Sequence, residues 1–197
     1  MKNIKNLEVY KECLIVVDMV NGFVREGVLH DENIARIIPR QIELIKEAKA
    51  KGDLIVFIKD THDDDSVEFI RFGDTKHCVK GTSEAELVDE LKIYEGDEDA
   101  VSIEKNSTSF MEAVDFRNLL FLNPEINSID VVGCCTDICV VNGVMGLANY
   151  MNQHNLDVEI RVHKDAVATY NEEERANYVD AAVLLMEQQG VQLVKKK

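Results

Sequence analysis

Apolar positions along the chain follow two alternating rhythms. Short runs rich in Val, Ile and Leu occupy residues 14–18, 54–60, 100–104, 129–133, 158–164 and 191–194. Between them lie longer stretches in which apolar side chains recur every three or four positions. Runs without a polar alternation mark strands buried on both faces, and helical stretches between them mark crossovers. The pattern therefore predicts an α/β fold, a doubly wound parallel six-stranded sheet with helices on both faces, Rossmann-like in its winding.

The helical stretches differ in clarity. Ile34, Ile37, Ile38, Ile42, Leu44, Ile45 and Ala48 share one face that ends before Gly52, with Pro39 either kinking the helix or opening its first turn. Leu87, Val88 and Leu91 mark a short helix. Phe110, Val114, Leu119 and Leu120 mark another whose boundary falls near Asn118, and residues 137–150 and 172–189 give two longer ones. Residues 61 to 81 keep neither rhythm. A loop of that length inside a compact domain is usually functional, and this one holds two of the five histidines. No repeat or linker divides the 197 residues, so one domain is expected over 1–197.

Charge and cysteine usage then remove several classes of function. Thirty-seven acids against 22 bases give a net charge of -15, which repels phosphate backbones and anionic membrane surfaces. Neither a nucleic-acid nor a membrane partner is expected. The largest basic run, Lys195 to Lys197, reads as a solubilising tail. The apolar stretch at 13–17 behind the basic start is too short for a signal segment, and no run approaches the roughly 20 apolar residues that span a bilayer. A cytoplasmic protein is expected. Five cysteines, two of them adjacent and one in a predicted buried strand, do not form a disulfide framework.

In a doubly wound sheet, ligands bind beyond the C-terminal strand ends. Asp18, Asp60, Lys105 and Cys139 all fall there or one turn further on. Cys139 follows a strand that passes through Gly133 into a helix, whose first amides and dipole would favour a thiolate. Singly, each has a plainer explanation: core packing for the cysteine, a turn for the aspartate, solvation for the lysine. Together they supply a nucleophile, a proton acceptor and a cation. Asp60 and His62 alone are a generic loop pair and His77 a surface histidine, while Asp63, Asp64 and Asp65 read as a solvated turn. His30 and His154 receive no role, and His163 reads as a structural histidine in a strand.

Three segments add a resemblance. Asp18-Met19-Val20-Asn21-Gly22-Phe23, Lys105-Asn106-Ser107-Thr108-Ser109-Phe110 and Gly133-Cys134-Cys135-Thr136-Asp137-Ile138-Cys139-Val140 resemble, in that order, the catalytic signatures of isochorismatase-like cysteine hydrolases. The resemblance implies Cys139 as nucleophile, Asp18 as its base and Lys105 as the stabilising cation. It also implies a cis peptide between Cys134 and Cys135 and an oxyanion hole from the backbone N–H groups of Cys135 and Cys139.

A fourth segment, Lys76-His77-Cys78-Val79-Lys80-Gly81-Thr82, with Asp60-Thr61-His62, is similar to the metal signature of nicotinamidases within that superfamily. It implies one divalent transition metal (zinc, iron or manganese) on Asp60, His62 and His77, with Glu68 as candidate fourth ligand. Family members commonly place an aromatic residue and a proline shortly before the His-Cys step. Here Phe72-Gly73-Asp74-Thr75-Lys76 stands instead and the chain has no tryptophan, which leaves Phe23 and Phe72 to hold a substrate ring. The implied activity is hydrolysis of a small-molecule amide, nicotinamide to nicotinate and ammonia through a thioester, by an expected homo-oligomer. A carbamoyl or ureido substrate is the nearest alternative, because the three residues fix the reaction class and the pocket fixes the substrate. A non-catalytic binding protein on the same fold is the alternative of a different class.

Overall fold

The computed structural model describes residues 9–196. Residues 1–8, with the basic start, and Lys197 of the tail lie outside the described residues. Six parallel strands form one sheet in the order β3-β2-β1-β4-β5-β6: β1 (Glu12–Val17), β2 (Leu54–Asp60), β3 (Ala100–Lys105), β4 (Ser128–Cys134), β5 (Glu159–Ala168) and β6 (Gln192–Val194). The strand order reverses between β1 and β4, the crevice where doubly wound sheets bind ligands. Burial follows position in the sheet. The central β1 and β2 are buried along almost their whole length, whereas the edge strand β3 alternates.

Among the described residues seven α-helices accompany the sheet: α1 (Asn21–Val24), α2 (Ile38–Lys51), α3 (Val67–Arg71), α4 (Asp89–Lys92), α5 (Val114–Leu122), α6 (Val141–His154) and α7 (Glu172–Gln188). One face of the sheet, including Ile15, Val17, Ile58 and Val131, packs with Phe116, Val144, Leu147 and Met186 from α5, α6 and α7. The opposite face, including Leu14, Val16, Ile55 and Phe57, packs with Ile38, Leu44, Ile45 and Leu91 from α2 and α4. Among the described residues no helix is long and apolar enough to cross a membrane.

Several expected elements change shape. Pro39 sits in the first turn of α2, where its missing N–H leaves no helical bond unmade, and a 3-10 turn at Glu32–Ile37 leads into it. The helix expected from Phe110 is broken: a 3-10 turn (Phe110–Glu112) precedes α5, which continues past Asn118 to Leu122. The expected strand at 158–164 extends to Ala168, because the β4–β5 register shifts between Val131 and Gly133 and the longer strand absorbs the offset. The loop expected to be irregular contains α3 and returns as a parallel bridge between His62 and Val79. Gly133 has a φ of 122°, and a Cβ there would lie 2.0 Å from the Val17 carbonyl oxygen. Only glycine lets β4 pass β1 at this separation.

Candidate active site

Four strand ends deliver the chemistry. Asp18 follows β1 directly, Asp60 and Lys105 are the last residues of β2 and β3, and Cys139 lies beyond β4 in a π-turn (Thr136–Val140) that runs into α6. Asp18, Asp60, Lys105 and Cys139 are all buried. Asp18 adopts a left-handed backbone with φ 50°, and the Cys134–Cys135 peptide is cis.

Lys105 is the hub. Its Nζ lies 2.6 Å from Asp60 Oδ1, 2.9 Å from Asp18 Oδ2 and 3.6 Å from Cys139 Sγ. Burial works against its charge, but Asp18 and Asp60 outweigh it and hold the ammonium well above its ordinary range. For Asp18 the balance falls the other way. Burial raises the carboxyl from 3.8 to about 6, with Lys105 opposing and the Asp60 charge adding to it. Contacts with the Lys105 ammonium and the Cys139 thiol also favour the ionised carboxyl, without offsetting burial.

The thiolate expected at Cys139 is corrected by its surroundings. Burial pushes the thiol well above its usual range, Lys105 pulls it down, and the two aspartates push it up. The helix-terminus field cannot offset two nearby carboxylates in a desolvated pocket. These surroundings favour the neutral thiol, beside a carboxyl whose pKa is raised to about 6. The Cys135 carbonyl accepts from the N–H groups of Ile138 and Val140 at 3.0 and 3.1 Å, passing over that of Cys139.

The second cluster shares Asp60 with the first. Ligand atoms of Asp60, His62, Glu68 and His77 lie within 4.8 Å of one another. Asp60 Oδ2 is 2.8 Å from His62 Nε2 and 3.5 Å from His77 Nε2, and Glu68 Oε1 is 3.7 Å from His62 Nε2. Bonds of about 2.1 Å to a tetrahedral ion put neighbouring ligand atoms about 3.4 Å apart, so the spacing suits a divalent metal. Both rings are oriented for it. His62 Nδ1 lies 2.7 Å from Asn106 Oδ1, and His77 Nδ1 lies 2.9 Å from the Thr75 carbonyl. Each acceptor requires an Nδ1–H, which turns Nε2 inward as the ligating atom. Burial alone would lower the pKa of His62, yet Asp60 and Asn106 outweigh it and raise it. The pocket thus prefers positive charge at Nε2, a preference that a bound cation also satisfies.

Phe23 and Phe72 both face this cluster, with ring centroids 6.0 and 6.3 Å from that of His77; Phe23 is buried and Phe72 is 41% exposed. Sequence reasoning missed Phe69, which packs edge-on against His62 and His77 at 5.2 and 5.4 Å. It also gave no role to Asn106 or Ser66, although Asn106 directly follows Lys105 and Ser66 precedes α3 as its N-cap. His163 bonds to Asp130 at 2.6 Å, well away from these residues in the sheet, as a structural histidine should.

Comparison with known proteins agrees with this arrangement. The Isochorismatase domain family matches residues 12–195. The chain is 31% identical over 175 residues to the isochorismatase family protein PncA of Bacillus subtilis (strain 168), covering 84% of this chain and 91% of that protein. It is 31% identical over 174 residues to nicotinamidase 1 of Arabidopsis thaliana, covering 80% and 69%. The crystal structure of the pyrazinamidase of Pyrococcus horikoshii in complex with zinc superposes with a TM-score of 0.77 at 30% identity, covering 94% of this chain and 99% of that one. A family match across nearly the whole chain, on a sheet whose strand ends gather these side chains, makes this protein a member of the isochorismatase family.

Proposed function

We propose that the protein is a cysteine amidohydrolase acting on nicotinamide, with Cys139 as nucleophile, Asp18 as base and Lys105 as the stabilising cation. The observation that carries this is the single buried constellation in which Lys105 Nζ touches Asp18, Asp60 and Cys139 together. Relatives that carry nicotinamidase and pyrazinamidase names support the substrate class.

The chemistry follows from the pKa order. A neutral thiol needs a base, and a carboxyl near 6 is ionised at neutral pH while still able to accept a proton. Asp18 takes the Cys139 proton, and the sulfur attacks the carboxamide carbon as the carbonyl electron pair moves onto oxygen. The N–H groups of Cys135 and Cys139 hold that oxygen. Collapse breaks the C–N bond, and Asp18 returns its proton to the departing nitrogen, giving ammonia and a thioester. Asp18 then takes a proton from water, which attacks the thioester and releases nicotinate and the thiol. Lys105 keeps its charge throughout and offsets the anion wherever it resides.

Asp60, His62 and His77, with Glu68 as fourth ligand, would hold one divalent transition metal, zinc, iron or manganese, which supplies a Lewis acid for the substrate ring nitrogen or a water. Phe23 and Phe72 would flank the ring. Ammonia release from nicotinamide, pyrazinamide, ureidoacrylate and N-carbamoylsarcosine tests the proposal. Nicotinamide and pyrazinamide should turn over at least tenfold faster than the other two. Preference for a carbamoyl or ureido compound would reassign the substrate within the same reaction class.

A further inference from the structure

We propose that Asp137, Thr169 and Arg175 form a clamp that positions the turn carrying Cys139, so that they are positioning residues for the reaction. This rests on Cys139 being the nucleophile. Asp137 stands two residues before it inside the π-turn, with only 1% of its side chain exposed. Its carboxylate is fully engaged by groups from two other elements. Thr169 Oγ1, just past the end of β5, donates to Oδ1 at 2.6 Å. Arg175, from the start of α7, converges on Oδ2 with Nε at 2.8 Å and Nη2 at 2.5 Å.

Arg175 is itself held in place. Its Nη1 donates to Tyr170 Oη at 3.0 Å, and the guanidinium lies over the Tyr170 and Tyr178 rings at 4.6 and 5.0 Å from their centroids. A largely buried ion pair adds little net stability compared with apolar packing, and its best-attested use is to select one geometry among several. Here the geometry concerned is the turn itself. Asp18 is fixed by β1 and Lys105 by β3, whereas Cys139 belongs to neither strand. The clamp ties its turn to β5 and α7 and so sets the distance over which the thiol proton travels to Asp18. A misplacement of about 1 Å in such a pair costs on the order of a hundredfold in rate.

Thr169→Val keeps the shape and removes the donor, Thr169→Ser keeps the donor, and Arg175→Lys keeps the charge but cannot converge on one oxygen with two N–H groups. Steady-state kinetics on the metal-loaded enzyme, well below every melting temperature, should show kcat lowered tenfold to a hundredfold in Thr169→Val and Arg175→Lys. KM should move less than twofold, because the proposed ring contacts lie on Phe23, Phe72 and the metal ligands, while the turn's N–H groups act on the oxygen mainly as its charge develops, and Thr169→Ser should restore kcat to within about threefold of wild type. The double variant Thr169→Val/Arg175→Lys should lose less than the product of the single losses, since both act through Asp137. Folded variants with wild-type kcat would overturn the clamp, as would losses carried by KM. Cys139→Ala separates the two claims: turnover in that variant sinks the nucleophile assignment, whereas an inactive Cys139→Ala beside fully active clamp variants sinks the clamp alone.

Discussion

Replacing Asp18 with asparagine should stabilise the protein at pH 8 while abolishing its turnover. The carboxyl is fully buried and its pKa is raised from 3.8 to about 6, so ionising it in the fold is unfavourable compared with ionising it in the unfolded chain. For an acid whose folded pKa is raised, that cost is absent well below 3.8, grows as the pH rises and saturates above about 6. At pH 8 it amounts to about 3 kcal/mol, from a shift of about two units at 1.36 kcal/mol each. At pH 4.5 it is about 1 kcal/mol. Asparagine matches the neutral carboxyl in shape and enters the left-handed backbone found at φ 50° as readily as aspartate, so no strain offsets the gain. Lys105 keeps Asp60 as partner. For a chain of this size, 3 kcal/mol corresponds to a melting temperature higher by about 6–12 °C. Calorimetry of wild type and Asp18→Asn at pH 8 and pH 4.5 measures both gaps. A variant less stable than wild type at pH 8, or a gap that does not shrink in acid, would refute the assignment of Asp18 as a carboxylate held ionised against its surroundings.

Three further outcomes follow from the same geometry. Lys105→Met removes the cation between two buried carboxylates and should cost about 3–5 kcal/mol at pH 8, with a smaller loss in acid where Asp18 takes up a proton; denaturant unfolding that leaves the variant as stable as wild type contradicts the hub. The kcat/KM profile should rise through about pH 6, because Asp18 accepts a proton only when ionised, and should be about tenfold below its plateau at pH 5 with metal content verified at each point; a flat profile from pH 5 to 7.5 argues against this base. Elemental analysis of protein made without a metal-binding tag should find close to one divalent transition metal per chain in wild type and Cys139→Ala, and little in His62→Ala; retention of metal by His62→Ala would displace the proposed ligand set.

The middle of the sheet was legible in the sequence because its central strands are buried on both faces, so β1 and β2 read as unbroken apolar runs. The end of β2 was legible for the same reason, since Asp60 closes an apolar run, whereas Lys105 closes the alternating edge strand β3 and was marked only by its place at a strand end; both side chains are buried. What the one-dimensional pattern does not carry is relations between ends. Nothing in the spacing of residues 60 and 105 shows that Lys105 bridges Asp60 and Asp18, which joins the metal-ligand cluster and the thiol into one electrostatic unit. The neutral state of Cys139 was likewise hidden, since helix position is local whereas the charges of Asp18 and Asp60 arise from the ends of β1 and β2 and the desolvation from the surrounding fold. The five-residue α3 was masked by the polar run before it, and with it Phe69, whose contacts to His62 and His77 exist only once the loop closes. Asp137 stood within a quoted motif, but its partners are 32 and 38 residues downstream.

The most direct test of the central claim is to trap the covalent intermediate. Metal-loaded wild-type enzyme mixed with excess nicotinamide, acid-quenched within the first turnovers and digested, should carry a nicotinoyl thioester on the peptide containing Cys139. Cys139→Ala should carry no adduct and release no ammonia above background. Ammonia release by Cys139→Ala at a rate near that of wild type, or an adduct mapping to Cys78, Cys134 or Cys135, would contradict the assignment of Cys139 as the nucleophile.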